Sequence, residues 1–246
     1  MSDTQFHTMP DGRRIAFRHT PGAGPTLVFL PGYMSDMDGG KATALFDRAK
    51  ARGQGCLLFD YSGCGSSEGD FAAGTLSRWT EEVLALIDAH VEGRVIVIGS
   101  SMGGWLMLLV GIALGERLAG LVGIASAPDF TEWGRSDEDK EKLRAGEMVY
   151  DPNPYGPDPT PMHPGFFTDG QDRRLLDSEI AIDAPVRLLH GQRDADVPWQ
   201  ISMKLAEALR SDAVQLLLVK DGDHRLSREQ DIALLLRTVE SLSGDV

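Results

Sequence analysis

Cysteine is nearly absent from this chain, with two in 246 residues, Cys56 and Cys64. Two thiols supply neither a disulfide framework nor a metal-ligand spacing, so a stapled secreted fold is excluded and a reducing compartment is expected. Basic residues are scarce as well: 24 Lys and Arg stand against 37 Asp and Glu, giving a net charge of −13 and a pI near 4.8. An acidic field of that size repels phosphate and disfavours nucleic acid or an anionic membrane as partner. Long apolar runs are missing too, since the longest, residues 105–114, falls well short of the ~20 residues that cross a bilayer. The start, MSDTQFHTMPDGRR, has no apolar core of a signal peptide, so the expectation is a cytoplasmic protein without a membrane span. Internal repeats and low-complexity tracts are also lacking.

What is present suffices for a core, because 42% of the residues are hydrophobic and α/β chains of this length commonly form one domain. The most informative stretch is residues 94–114. The β-branched run VIVI at 95–98 feeds directly into Gly99, Ser101 and Gly103, which fit G-x-S-x-G, and an apolar helical pattern follows at once. Strand, sharp turn and helix form the context in which that pattern makes a nucleophile elbow. Ser101 is then held in a strained backbone conformation, and the glycines remove side chains that would collide. The chain carries its own control. Gly65, Ser67 and Gly69 match the same pattern, but no strand runs into them and no apolar helix leaves, so that copy reads as a loop.

Around the elbow the periodicity alternates. Residues 5–19 read as a small hairpin flanking the main sheet. Strands are expected at 26–30, 56–59, 118–126, 184–190 and 214–219, and helices at 41–51, 76–90, 200–210 and 226–242. In the helix at 76–90, Leu76, Trp79, Val83, Leu84 and Ile87 form the covered face, and Arg78, Glu81, Glu82 and Asp88 form the solvent face. Residues 129–180 break the pattern. They are charged first and then hold six prolines between Asp151 and Gly165, a stretch that resists regular structure. Phe130, Trp133, Tyr150, Tyr155, Phe166 and Phe167 argue for packing rather than disorder. The predicted fold class is α/β, a mostly parallel doubly wound sheet. Its core domain is residues 1–128 and 181–246, and 129–180 is a short cap inserted between the sixth and seventh main-sheet strands.

A serine hydroxyl is a poor nucleophile near neutral pH, so Ser101 requires a base to take its proton and an acid to orient that base. After such an elbow the chain order is serine, acid, histidine. Of six histidines, His224 follows the last strand, in a turn at the sheet's carboxyl edge, and it is the candidate base. His190 ends a buried strand and reads as core packing. His163 lies in the insertion with no identifiable partner. For the acid, the run HGQRDADVP offers Asp194 and Asp196; Asp194, nearer the strand end, is favoured, with Asp196 and Asp129 as alternatives. Asp221 and Asp223 shape the turn around His224. The oxyanion donors are expected to be the backbone N–H of Met102, at a helix N-terminus, and that of Tyr33, presented by Pro31 and Gly32. The Tyr33 side chain is then free to line an acyl pocket. Residues 60–67 read as a structural turn beneath the site.

The stretches LPGYMSDMDGGKA, FDYSGCGSSEG, GSSMGGWLMLL, VRLLHGQRDADVPW and DHRL resemble the α/β-hydrolase superfamily. Within it they resemble the family of mitochondrial palmitoyl-protein thioesterases that also hydrolyse acyl glucuronides. The resemblance implies Ser101 as nucleophile, Asp194 as acid and His224 as base. It implies a small-molecule or protein-linked acyl ester or thioester as substrate, with no cofactor and no metal. Three departures stand out. Ser62 occupies a position where the commoner superfamily pattern has Arg, although the narrower family tolerates Ser there; the stretches that carry the resemblance do not extend into residues 129–180; and no mitochondrial transit segment is visible, which favours the cytoplasm. The expected function is a serine hydrolase working through an acyl-enzyme. A serine peptidase of the same fold, which Gly104 permits, and a non-catalytic binding protein are the alternatives. The pattern leaves the oligomeric state open.

Overall fold

β-branched runs alternating with amphipathic helices build a wound sheet here. The computed structural model describes residues 4–153 and 156–243. Tyr155, counted above among the packing aromatics, lies outside the described residues. Strands β1 (Gln5–Thr8) and β2 (Arg14–Thr20) are followed by β3 (Ala23–Leu30), helix α1 (Gly40–Ala51), β4 (Gln54–Phe59), α2 (Leu76–His90), β5 (Val95–Ser100), α3 (Met102–Leu114) and β6 (Leu118–Ile124). An insertion contains α4 (Phe130–Trp133), α5 (Asp137–Arg144), β7 (Val149–Asp151), β8 (Thr160–Met162) and α6 (Pro164–Asp172). The main fold resumes with β9 (Val186–Gly191), α7 (Gln200–Ala208), β10 (Val214–Val219) and α8 (Glu229–Glu240).

The main sheet has eight strands in the order β1-β2-β4-β3-β5-β6-β9-β10. β1 and β2 are antiparallel to their neighbours, and every other pair is parallel. The chain winds from β3 to β4 on one side and then crosses to β5 on the other. That reversal opens a crevice at the carboxyl ends of β3 and β5, where a wound sheet binds ligands. All six residues of β5 are buried. Covered by helices on both faces, that strand is a continuous apolar run rather than an alternating one. Each fully buried Val or Ile there contributes roughly 1.5–3 kcal/mol. One core layer, including Trp79, Leu106 and Phe166, lies on the α2 and α3 side, and the other, including Leu45, Ile98 and Leu235, lies on the α1 and α8 side.

The expected faces of α2 need one correction. Glu82 is fully buried, not solvated, because its carboxylate accepts the Ser62 N–H at 2.9 Å and pairs with Arg13. Leu86 is fully buried, and Leu84 only partly. The helical period assigns directions, but it carries no information about a guanidinium arriving from β2's neighbourhood. The prolines of the insertion are also more regular than expected. β7 and β8 pair antiparallel from Val149↔Met162 to Asp151↔Thr160, with Pro161 opposite Tyr150. A two-stranded ribbon has open edges, so the missing proline N–H costs no ladder bond. Phe166 and Phe167 are buried, whereas Tyr150 is exposed. Trp105 of α3 donates its Nε1–H to the Arg173 carbonyl at 3.1 Å, tying the insertion to the helix that follows the elbow.

Candidate active site

Ser101 stands between β5 and α3 with φ 54° and ψ −118°. A non-glycine residue in that region costs about 1–3 kcal/mol and persists only where its surroundings over-determine it. Here they do: Ser101 N donates to Ile124 O at 2.9 Å, and its carbonyl accepts from Gly104 at 2.8 Å and Ala127 at 3.0 Å. The glycines are steric necessities. A Cβ on Gly99 would lie 2.2 Å from Gly103 O, and one on Gly103 would lie 2.1 Å from Leu30 O. Among the described residues the other non-glycine positions with positive φ are Met34, Ala125, Asp129 and Leu226. All of these follow β3, β6 or β10, so backbone strain is concentrated at the sheet's carboxyl edge.

The sequence-predicted residues converge at that edge. His224 Nε2 lies 3.1 Å from Ser101 Oγ, and His224 Nδ1 lies 2.8 Å from Asp194 Oδ2. The Asp194 side chain is fully buried. Its Oδ1 accepts the N–H groups of Asp196 at 2.9 Å and Val197 at 2.8 Å. Burial by itself pushes this carboxyl up. The N–H donors of His190 and His224 overcome that and hold it well below the usual carboxylate range, so it stays an anion. Asp223 and Asp221 serve the turn, as expected: Asp223 accepts the Leu226 N–H at 2.9 Å and Asp221 pairs with Arg228 at 2.7 Å.

The two alternative acids are used otherwise. Asp196 is exposed on the cavity wall, with its backbone N–H on Asp194. Asp129 is buried and spends both oxygens on the backbone N–H groups of Leu175 and Leu176, at 2.8–3.1 Å. Burial raises its carboxyl, partly offset by those donors. Asp194, Asp196 and His224 bring potential ligand atoms within 4.8 Å of one another. Both Asp194 oxygens and both His224 nitrogens already face protein partners, which suits a proton relay better than a cation.

The expected oxyanion donors frame Ser101. Neither Met102 N–H nor Tyr33 N–H has a protein acceptor among the described residues. A methyl added to Gly32 would lie 3.5 Å from Ser101 Cβ, so the turn that carries Tyr33 abuts Ser101. The Tyr33 hydroxyl donates to Pro161 O at 2.9 Å, and its ring lies against Phe71, Phe130 and Phe166. A cavity of about 540 Å³ opens over Ser101 and His224, with Tyr33, Met34, Lys41 and Asp151 in its walls. Sequence reasoning missed Lys41. Its ammonium bonds Arg225 O and, at 3.3 Å, Ser227 Oγ, bracing the chain just after His224. Burial, then the Arg225 guanidinium, pushes it down to about 8.

His190 is buried as expected, but simple packing does not describe it. Its Nε2 lies 3.1 Å from Asp194 Oδ2, a contact whose one sequence signal is the four-residue spacing across the strand end. His163 precedes α6 and meets the Phe71 ring edge-on at 5.9 Å, outside the cavity over Ser101. Residues 60–67 are a structural turn, as expected. Asp60 accepts Met37 N–H at 2.7 Å and Ser66 N–H at 2.8 Å.

Comparison with known proteins bears out the α/β fold. The Alpha/beta hydrolase family matches residues 27–241. Human palmitoyl-protein thioesterase ABHD10, mitochondrial, is 37% identical over 241 residues, 96% of this chain and 79% of that protein. Its mouse counterpart is 40% identical over 233 residues, 93% of this chain and 78% of that protein. The solved structure of alpha/beta hydrolase domain-containing protein 10 from mouse matches with a TM-score of 0.91 at 36% identity, covering 98% of both chains. A crystallised protein of Agrobacterium vitis S4 matches with a TM-score of 0.91 at 38% identity, covering 98% of this chain and 99% of the other.

Proposed function

The chain belongs to the alpha/beta hydrolase family, and on that premise we propose that it cleaves acyl esters or thioesters with Ser101 as nucleophile, His224 as base and Asp194 as acid. The observation that carries the reading is the unbroken hydrogen-bond line from Ser101 Oγ through His224 to a buried Asp194, at a strained elbow beneath an open cavity. Ser101 Oγ attacks the acyl carbon as its proton passes to His224 Nε2. The imidazolium is stabilised by the Asp194 carboxylate. Met102 and Tyr33 N–H groups take the oxyanion, and the α3 N-terminus adds a favourable dipole. Collapse breaks the bond to the leaving oxygen or sulfur, which receives the proton from His224. Water, activated by the same imidazole, then releases the acid and restores Ser101.

The thioester part of the proposal is supported by relatives named palmitoyl-protein thioesterase. Residues 129–180 are proposed as a cap, because Asp151 and Thr160 line the cavity and Pro161 holds the Tyr33 hydroxyl. No helix of the described residues is long and apolar enough to cross a membrane. The relatives are named mitochondrial, so the cytoplasmic expectation is widened to a reducing compartment of either kind; the free thiols of Cys56 and Cys64 support that.

The test is labelling with a fluorophosphonate probe, followed by assay on acyl thioesters and p-nitrophenyl esters of graded chain length. Labelling at Ser101 with turnover of both ester classes is expected. Shortening the insertion should change the chain-length profile while labelling persists, since each buried methylene is worth about 0.8 kcal/mol. A chain that does not label is a binding protein, and cleavage of peptides but not esters would move it to the peptidases.

A further inference from the structure

The mechanism above uses one face of the Asp194 carboxylate and leaves the other imidazole on it unexplained. Oδ1 is fixed by two backbone amides, and Oδ2 receives both His224 Nδ1 at 2.8 Å and His190 Nε2 at 3.1 Å. The two rings differ in what holds them. His224 sits in a loop after β10 with its side chain 14% exposed, and it must change protonation state in each turnover. His190 is the penultimate residue of β9, is fully buried, and is clamped at both nitrogens. Nδ1 lies 2.7 Å from Ser202 Oγ, and Nε2 lies 3.0 Å from Val197 O. Val197 O and Asp194 Oδ2 are both acceptors, so Nε2 carries the hydrogen and shares it between them. Nδ1 then accepts the Ser202 hydroxyl. In that tautomer every polar atom of a ring with no access to water has a partner.

We propose that His190 is a positioning residue for the acid: together with Ser202 it holds the Asp194 carboxylate in the orientation in which that carboxylate receives the His224 N–H. The inference rests on the assignment of Asp194 and His224 made above. A leucine would fill much of the same space without desolvating two nitrogens, so packing alone does not account for an imidazole here. A carboxylate oxygen held from the rigid side by His190 cannot rotate away while His224 moves between serine and leaving group. The line therefore runs Ser202, His190, Asp194, His224, Ser101, from the first turn of α7 to the elbow.

The experiment compares wild type with His190→Leu, His190→Gln and Ser202→Ala, reading kcat, KM and the pH profile on one p-nitrophenyl ester. Each variant is also followed by thermal melting and by the low-field proton resonance of the His224–Asp194 bond. His190→Leu should lower kcat about 10- to 100-fold with KM within about twofold, as loss of the outer partner of a catalytic group does. The acid limb of its kcat/KM profile should move to higher pH, because a carboxylate with one donor fewer binds the His224 proton more tightly. His190→Gln, whose amide N–H can replace Nε2–H, should recover to within about fivefold. Ser202→Ala should shift the limb in the same direction by less. An unchanged limb and resonance in folded His190→Leu would overturn the proposal. So would Gln being as impaired as Leu in proportion to lost melting temperature. If His190→Leu does not fold, Ser202→Ala decides by the limb and the resonance. If wild type neither labels nor turns over, the functional reading fails separately. The resonance in His190→Gln and Ser202→Ala still reports whether His190 governs the Asp194–His224 bond.

Discussion

At Ser101 the backbone is forced to φ 54° and the hydroxyl faces an imidazole 3.1 Å away. At Ser67, in the second stretch of the same G-x-S-x-G pattern, the backbone is relaxed and the hydroxyl is consumed locally. It donates to Asp60 O at 2.7 Å and accepts the Ala16 N–H at 2.8 Å. Each serine also has a buried aspartate. Asp194 reaches Ser101 through His224, whereas Asp60 binds loop amides directly at Met37 and Ser66. The five-residue pattern is identical, so the difference is made by what enters and leaves it. A strand buried on both faces and an apolar helix compress the Ser101 turn against β3; no such elements flank Ser67. A pattern acquires chemistry only when its neighbours forbid the relaxed turn.

The comparison is broken most strongly at the serines. Ser101→Ala should lower kcat by about 10³- to 10⁶-fold, and adding His224→Ala should cost little more, since the groups act as a unit. Ser67→Ala should leave kcat within about twofold but cost about 1–2 kcal/mol in denaturant unfolding, by orphaning the Ala16 amide. Equal losses of turnover at the two serines would erase the distinction.

A smaller effect is expected at the acids. Asp194→Asn should cost about 10³- to 10⁴-fold in kcat, since the amide favours the wrong His224 tautomer, while Asp196→Asn should stay within about threefold. Steady-state kinetics on the two purified variants separates them, and a damaged Asp196→Asn enzyme would reassign the acid.

The smallest effect is the pH dependence of stability, and its sign differs between the two aspartates. Asp194 is held below the ordinary 3.8 in the fold, so its contribution is present above that value and is lost as pH falls through the folded one. Burial raises Asp60 above 3.8 against the donors Ser66 and Met37. Its ionisation therefore costs stability at higher pH, and that cost is relieved as pH falls toward 3.8. In thermal melts from pH 6 down to about 3, the deficit of Asp194→Asn relative to wild type should shrink. That of Asp60→Asn should grow. Parallel curves would show that the two carboxylates are not held in opposite ways.

Much of this was legible before any coordinates, and the misses share one cause. The strand, turn and helix over residues 94–114, the hairpin at the start and the strand at 214–219 follow from local period and composition, which depend on neighbours along the chain. Glu82 and Lys41 were misread or overlooked, and the amides that take up Asp129 went unseen, because each is defined by a partner distant in sequence. His190 was read short of its contact with Asp194, only four residues on, because the turn after β9 and not a period along the strand brings the two together. Glu82 meets Arg13, Lys41 meets Arg225 and Ser227, and Asp129 meets Leu175 and Leu176. A helical wheel places such side chains by direction and cannot see what arrives to meet them. Tyr150 was read as packing for the converse reason: an aromatic residue signals burial only if something comes to cover it.

The amino-acid order therefore determined the α/β class, the elbow at Ser101 and the sequence of residue types that a serine mechanism requires, because these rest on hydrophobic period and on glycines that sterics demand. Tertiary structure alone decided that Asp129 spends its carboxylate on the Leu175 and Leu176 amides, that a second imidazole stands behind the Asp194 carboxylate, and that Tyr33 is tethered to the insertion. Those outcomes depend on where parallel strands deliver their carboxyl ends in space, and the crossing of the chain from β4 over β3 to β5 sets that.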